Sequence, residues 1–195
     1  MVTLLTLVRH GQTDWNLARR IQGTTDIPLN DTGRGDAKAA AEALAGERYD
    51  AIYASPLVRA QETAQIIADE LGLAAPALTR GLRERTFGDG EGMLVDDYLT
   101  TWGDWTSAVP GAETLEEVRD RALDSLDRIV RASRRRSAPR AESIIVVSHG
   151  GVIRSLLMHV SGGSLPRIGD SLHNGSVHRF VAERGTLRLL EAIPI

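Results

Sequence analysis

Apolar positions along the chain fall into short continuous runs that alternate with helix-spaced stripes. Val2 to Val8, broken only by Thr3 and Thr6, reads as a short buried strand. Ala51 to Ala54 reads as a second. Ser143 to Ser148 (Ser-Ile-Ile-Val-Val-Ser) is the clearest, apolar and β-branched as a strand covered on both faces requires. Between them, Ala37, Ala40, Ala41 and Leu44 recur on one helical face behind the capping sequence Asn30-Asp31-Thr32. Ser55 as cap and Pro56 in the first turn predict a helix carrying Ala60, Thr63, Ala64, Ile67 and Leu71, closed by Gly72. A longer helix is expected from about Glu113 to Arg134, and an apolar one from Val152 to Val160. Leu94 to Trp105 predicts a short helix. Val177–Glu183 and Leu187–Ala192 predict two closing strands joined by a turn at Arg184-Gly185. Alternating strands and helices imply an α/β fold with a mainly parallel central sheet covered on both faces, with an antiparallel edge from the last hairpin.

Composition narrows the class. The 195 residues suit one well-cored domain, and no linker or repeat divides them. A net charge of −3 argues against a nucleic-acid binder that works through bulk positive charge, so any basic site must be local. Without cysteine there is no thiolate metal site and no Cys nucleophile, as in many cytoplasmic proteins. The N-terminus lacks the pattern of a signal peptide, and no apolar run reaches membrane-spanning length. The basic cluster Arg131, Arg134, Arg135 and Arg136 reads as a solvated helix end that complements the macrodipole.

The chemistry gathers where strands end. The first strand runs into Arg9-His10-Gly11, the second into Ser55 with Arg59 just behind it, and the third into Ser148-His149-Gly150. In a parallel sheet these carboxyl ends share one edge, where open α/β sheets bind ligands. Two guanidiniums, two imidazoles and the N–H groups of the following helix starts suit a phosphate dianion. One imidazole could attack phosphorus while the other donates to an equatorial oxygen. A departing alkoxide needs a proton, and Glu84 or Glu91 in the Gly-rich loop could supply it.

The ordered series of motifs resembles the histidine phosphatase superfamily, which also contains the cofactor-dependent phosphoglycerate mutases. It comprises Leu7-Val8-Arg9-His10-Gly11-Gln12-Thr13 with Asn16, Gln22-Gly23, and Ser55-Pro56-Leu57-Val58-Arg59-Ala60. Leu82-Arg83-Glu84 ahead of Phe87-Gly88-Asp89-Gly90-Glu91-Gly92, Val147-Ser148-His149-Gly150-Gly151 and Asn174-Gly175-Ser176 complete it, over nearly the whole chain. The resemblance implies a single domain spanning 1–195, a three-layer α/β/α architecture like that of phosphoglycerate mutase, and an inserted cap region at about 81–112. It implies that His10 is the nucleophile, that Arg9, Arg59 and His149 hold the phosphate, and that Glu84 is the proton donor. Asn16 and the backbone at Gly23 and Gly150 would add substrate contacts.

The activity so implied is cytoplasmic, metal- and cofactor-independent hydrolysis of a small phosphorylated substrate through phosphohistidine. Nucleic acid and membrane have no part in it, and a homo-oligomer is left open. A phosphoglycerate mutase is the alternative, and a non-catalytic phospholigand-binding protein a more distant one. The sequence after Glu84 is similar to the phosphatase branch. One departure stands out: Gly90 occupies a position where many phosphatases of the family carry an aromatic residue. Trp102 and Trp105 are expected either to line the substrate entrance or to pack an inserted helix. Trp15 is expected beneath the Gly11–Asn16 loop.

Overall fold

The computed structural model describes residues 2–167, 170–183 and 185–193. Six strands form one sheet: β1 (Val2–Arg9), β2 (Ala51–Ala54), β3 (Ala77–Leu78), β4 (Ser143–Ser148), β5 (Val177–Glu183) and β6 (Thr186–Ile193). Their order is β3-β2-β4-β1-β5-β6. The β3-β2-β4-β1 block is parallel, and β5 and β6 add an antiparallel edge. The expected turn at Arg184-Gly185 includes Arg184, which lies outside the described residues.

The side-chain period of two in β4 builds the two halves of the core. Ile144 and Val146 join Leu5 and Leu7 on one face, covered by α5 (Leu115–Ser137) and α6 (Gly150–Val160). Ile145 and Val147 join Val8 on the other face, covered by α2 (Asp31–Leu44) and α3 (Val58–Leu71). The result is the three-layer α/β/α architecture. A third, smaller apolar cluster of Ile21, Phe87, Tyr98 and Val109 sits under the region that includes α4 (Val95–Trp102).

The helix starts refine the sequence reading. Asn30 caps α2 by accepting from the Gly33 N–H at 2.9 Å, as its side chain suggests. The α3 start differs from the expected Ser-Pro opening. The helix begins at Val58, and its first N–H is taken by Asp26 Oδ1 at 2.7 Å, from a loop remote in sequence. Ser55 is engaged elsewhere. Helix α5 starts at Leu115, with Thr114 and Glu117 forming a reciprocal capping box. Glu113 therefore lies outside the helix and is free to pair with Arg83 and Arg121. Helix α6 starts two residues earlier than expected, at Gly150, directly after β4. The polar Gly11–Pro28 loop contains a single helical turn, α1 (Asp14–Leu17), also with a capping box. At the far end of α5, Arg131, Arg135 and Arg136 are exposed. Arg134, however, is half-buried and donates to the Ala182 carbonyl at 3.1 Å, and Arg136 pairs with the buried Glu142, so the basic cluster is a solvated helix end only in part.

Candidate active site

The strand register aligns the chemistry. Arg9 of β1 lies opposite Ser148 of β4, so the next residues, His10 and His149, emerge side by side at the same sheet edge. Their ring centroids are 5.1 Å apart. The His10 N–H donates to Ser148 O at 3.0 Å, and the Arg9 N–H to Ser176 O at 3.0 Å. Asn174 Nδ2 adds a bond to the His10 carbonyl at 2.9 Å. The end of β1 is thus fixed on both sides before any side chain is considered.

The His10 side chain is buried, with Nδ1 2.7 Å from the Gly11 carbonyl. A carbonyl only accepts, so Nδ1 carries the proton and Nε2 keeps its lone pair. Arg59 Nε donates to that nitrogen at 3.3 Å. The other arms of Arg59 are held by the Thr25 carbonyl at 2.9 Å and the Gly23 carbonyl at 2.8 Å. Arg59 is 1% exposed, and burial pushes its pKa down to about 10, still a cation at neutral pH. Arg9 donates to the Leu172 carbonyl, and its buried Nε has no partner. Burial, Arg59 and Arg9 together hold the His10 imidazole well below its usual pKa, and burial followed by Arg59 and His10 does the same to His149. Both rings are therefore neutral at pH 7, which a nucleophile requires.

Glu84 reaches the site from the other side. Its Oε1 accepts from the Arg85 N–H at 2.7 Å and its Oε2 from the Gly151 N–H, in the first turn of α6, at 3.1 Å. A Cβ at residue 151 would lie 2.4 Å from Oε1, so glycine there allows the approach. Arg121 of α5 holds the supporting loop, donating to the Gly81, Arg83 and Glu84 carbonyls and to both oxygens of Glu113. Ser148 Oγ donates to the Leu82 carbonyl at 2.8 Å.

Glu91, the other candidate acid, is fully committed. Its carboxylate accepts from the Thr24 N–H at 3.0 Å, the Thr25 hydroxyl at 3.0 Å and the Phe87 N–H at 3.1 Å. It ties the Gly23–Thr25 loop, whose carbonyls hold Arg59, to Phe87. Asp89 is exposed. Asn16 spends its Oδ1 on the Thr13 N–H and hydroxyl and on Asn174, which leaves its amide NH₂ for a ligand. Gly23 serves through its carbonyl, and Gly150 opens α6 with the Arg9 guanidinium 3.6 Å from where its Cβ would be.

The Gly90 departure has a structural answer. A Cβ there would meet the Tyr98 ring at 2.7 Å, so Tyr98 of α4 fills the space from the opposite side. Tyr98 is fully buried, stacked on Trp105 at 5.2 Å and edge-on to Phe87 at 6.0 Å. Trp105 therefore belongs to the packing of α4, and Trp102 packs against the same cluster. Trp15 lies beside Arg20 and Gly92. A groove of about 440 Å³ between α5 and β6 contains none of the site residues.

The family model for the histidine phosphatase superfamily (branch 1) matches residues 5–192. The chain belongs to that superfamily. Among relatives of this superfamily member, an uncharacterized phosphatase of Bacillus subtilis, PhoE, is 39% identical over 162 residues, covering 83% of this chain and 79% of PhoE. A 2,3-bisphosphoglycerate-dependent phosphoglycerate mutase of Brucella ovis is 35% identical over 175 residues, covering 83% of each. The solved structure of a mycobacterial glucosyl-3-phosphoglycerate phosphatase superposes with a TM-score of 0.81 at 28% identity, covering 97% of both chains. These likenesses support phosphatase activity in a phosphoglycerate mutase-like fold.

Two expected outcomes follow from the geometry. Arg59→Ala removes the fixed donor to His10 Nε2 and should lower kcat by on the order of a hundredfold or more. Steady-state kinetics, with thermal melting as a folding control, checks this; a loss below about tenfold contradicts it. The second concerns acid. His10, His149 and His178 are all buried with lowered pKa, His178 at about 4 through burial. Above about pH 7.5 all three are essentially neutral in both folded and unfolded chains, and their contribution to stability is complete. As the pH falls from there towards 4, the unfolded chain takes up protons that the folded one refuses, and stability drains away. The lowered carboxylates Asp50 and Glu113 add their losses only at lower pH. Urea midpoints should therefore fall between pH 7 and pH 5; a flat profile contradicts the assignment.

Proposed function

We propose that the protein is a metal-independent phosphomonoesterase that acts on a small phosphorylated metabolite through phosphohistidine. The observation that carries this is the His10 ring. Its proton is tied to the Gly11 carbonyl, and its Nε2 lone pair faces Arg59 beside Arg9 and His149. An incoming phosphoryl group takes over the Arg59 donor and the unpartnered Arg9 Nε. His10 Nε2 then attacks phosphorus in line, forming the P–N bond as the P–O bond to the leaving group breaks. Glu84 gives its proton to the departing oxygen. In the second half, Glu84 takes a proton from water as that water attacks phosphohistidine, releasing phosphate and restoring His10. Arg9, Arg59 and His149 supply the charge stabilisation that a metal ion gives in other phosphoryl-transfer sites.

The test is a panel of phosphomonoesters, including phosphoglycerate derivatives and sugar phosphates, with and without EDTA. Phosphate release that survives EDTA is the expected result. No release from any member, or full loss with EDTA, contradicts the reading. The likeness to the Brucella ovis mutase calls for one further arm. Efficient interconversion of 2- and 3-phosphoglycerate primed by 2,3-bisphosphoglycerate would make the protein a mutase.

A further inference from the structure

His149 is the N-cap residue of α6, in extended conformation, and its side chain makes no capping bond. The ring is fully buried and turned instead towards β2. Its Nε2 lies 2.7 Å from Ser55 Oγ, while its Nδ1 is buried without a partner. A neutral imidazole has one proton to place. On Nε2 it would point at Ser55 and leave a bare lone pair on Nδ1, the only ring nitrogen left to meet an anion. On Nδ1 it would be offered to the anion.

Ser55 decides between these. Its hydroxyl is fully buried, and its oxygen already accepts from the Leu57 N–H at 3.3 Å. The hydroxyl proton needs an acceptor, and among the described residues the one within reach is His149 Nε2. If Nε2 carried the proton, two donors would converge on the Ser55 oxygen and its own buried O–H would go unsatisfied, at a substantial cost. Donation from Ser55 satisfies every group except His149 Nδ1–H, which then awaits the phosphoryl oxygen.

We propose that Ser55 is a positioning residue that locks His149 in the Nδ1–H tautomer, so that the ring meets the phosphoryl group as a donor. The phosphoryl half of this statement rests on the function proposed above; the tautomer half does not. It also explains why α3 does not start at Ser55: the hydroxyl serves the histidine rather than the helix.

The experiment is ¹⁵N NMR of histidine-labelled protein at pH 7 without ligand, with the His149 signals assigned by their loss in His149→Gln. The expected result is a protonated, pyrrole-like Nδ1 and a pyridine-like Nε2. Ser55→Ala should move His149 towards the Nε2–H form and lower kcat by about ten- to a hundredfold, as loss of a group that orients a site ligand does. Ser55→Thr, which keeps the hydroxyl, should retain the wild-type tautomer. An Nε2–H signature in wild type overturns the proposal, as does a Ser55→Ala variant whose tautomer or turnover does not change. The wild-type spectrum needs neither substrate nor variant, so the tautomer is read even where phosphatase assays fail.

Discussion

Replacing His10 by alanine should lower phosphate release by at least about four orders of magnitude, because it removes the nucleophile and not merely a contact. The site offers no substitute. His149 Nε2 is bonded to Ser55, and in the arrangement argued above its Nδ1 carries a proton, so it presents no free lone pair. A water attacking directly would lack the in-line nitrogen. Binding should survive. Arg9 and Arg59 are held by the Leu172, Thr25 and Gly23 carbonyls, none of which depends on His10. Inorganic phosphate should therefore still raise the melting temperature of His10→Ala, by the mass-action stabilisation of any native-state ligand. Loss of both turnover and phosphate binding would mean that His10 shapes the pocket rather than reacts in it.

Glu84→Gln should have the second-largest effect, and one that depends on the leaving group. For an alkyl phosphate, whose alkoxide must be protonated, kcat/KM should fall by about 10²–10⁴-fold, the range for loss of a positioned acid. For p-nitrophenyl phosphate, whose phenolate leaves without help, kcat/KM should change little. The second half-reaction still needs a base, so p-nitrophenol should appear in a burst as phosphoenzyme accumulates. The amide keeps one oxygen, so it can replace only one of the two bonds that Glu84 accepts from the Arg85 and Gly151 N–H groups, and a thermal melt beside the kinetics checks that the loop holds its place. Equal losses of kcat/KM on both substrates would remove Glu84 from the acid role. Glu91→Gln should show no such contrast, since its carboxylate is spent on Thr24, Thr25 and Phe87.

The parts of the fold that could be read from sequence are those with dense local signals. Ser143–Ser148 is a strand because it is apolar and β-branched, and α5 is a helix because its apolar stripe from Leu115 to Val130 persists for about four turns. The strand ends place Arg9, His10 and His149 on one edge for any parallel sheet, so the heart of the site needed no tertiary information. What escaped depends on distant partners. The α3 start is set by Asp26, thirty-two positions earlier. β3 is two exposed residues that pair only because β2 leaves an edge. The resemblance already favours Glu84 over Glu91 as the acid, but the role of Glu91 as a tie between Thr24, Thr25 and Phe87 rests on bonds made across the fold. The Gly90 vacancy is filled by Tyr98, eight positions further on, which local pattern could not foretell. Ser55 and Pro56 form a correct capping pattern locally, yet the hydroxyl is claimed by His149 across the sheet edge.

The central claim is a covalent one, and the direct measurement is to trap the intermediate. Wild-type protein mixed with ³²P-labelled substrate, quenched in alkali within milliseconds and digested, should yield one labelled peptide containing His10. Its label should be alkali-stable and acid-labile, as a phosphoramidate is, and with labelled p-nitrophenyl phosphate, whose leaving group needs no acid, it should accumulate further in Glu84→Gln. Turnover with no labelled protein at any quench time, or label on a residue other than His10, would contradict the account.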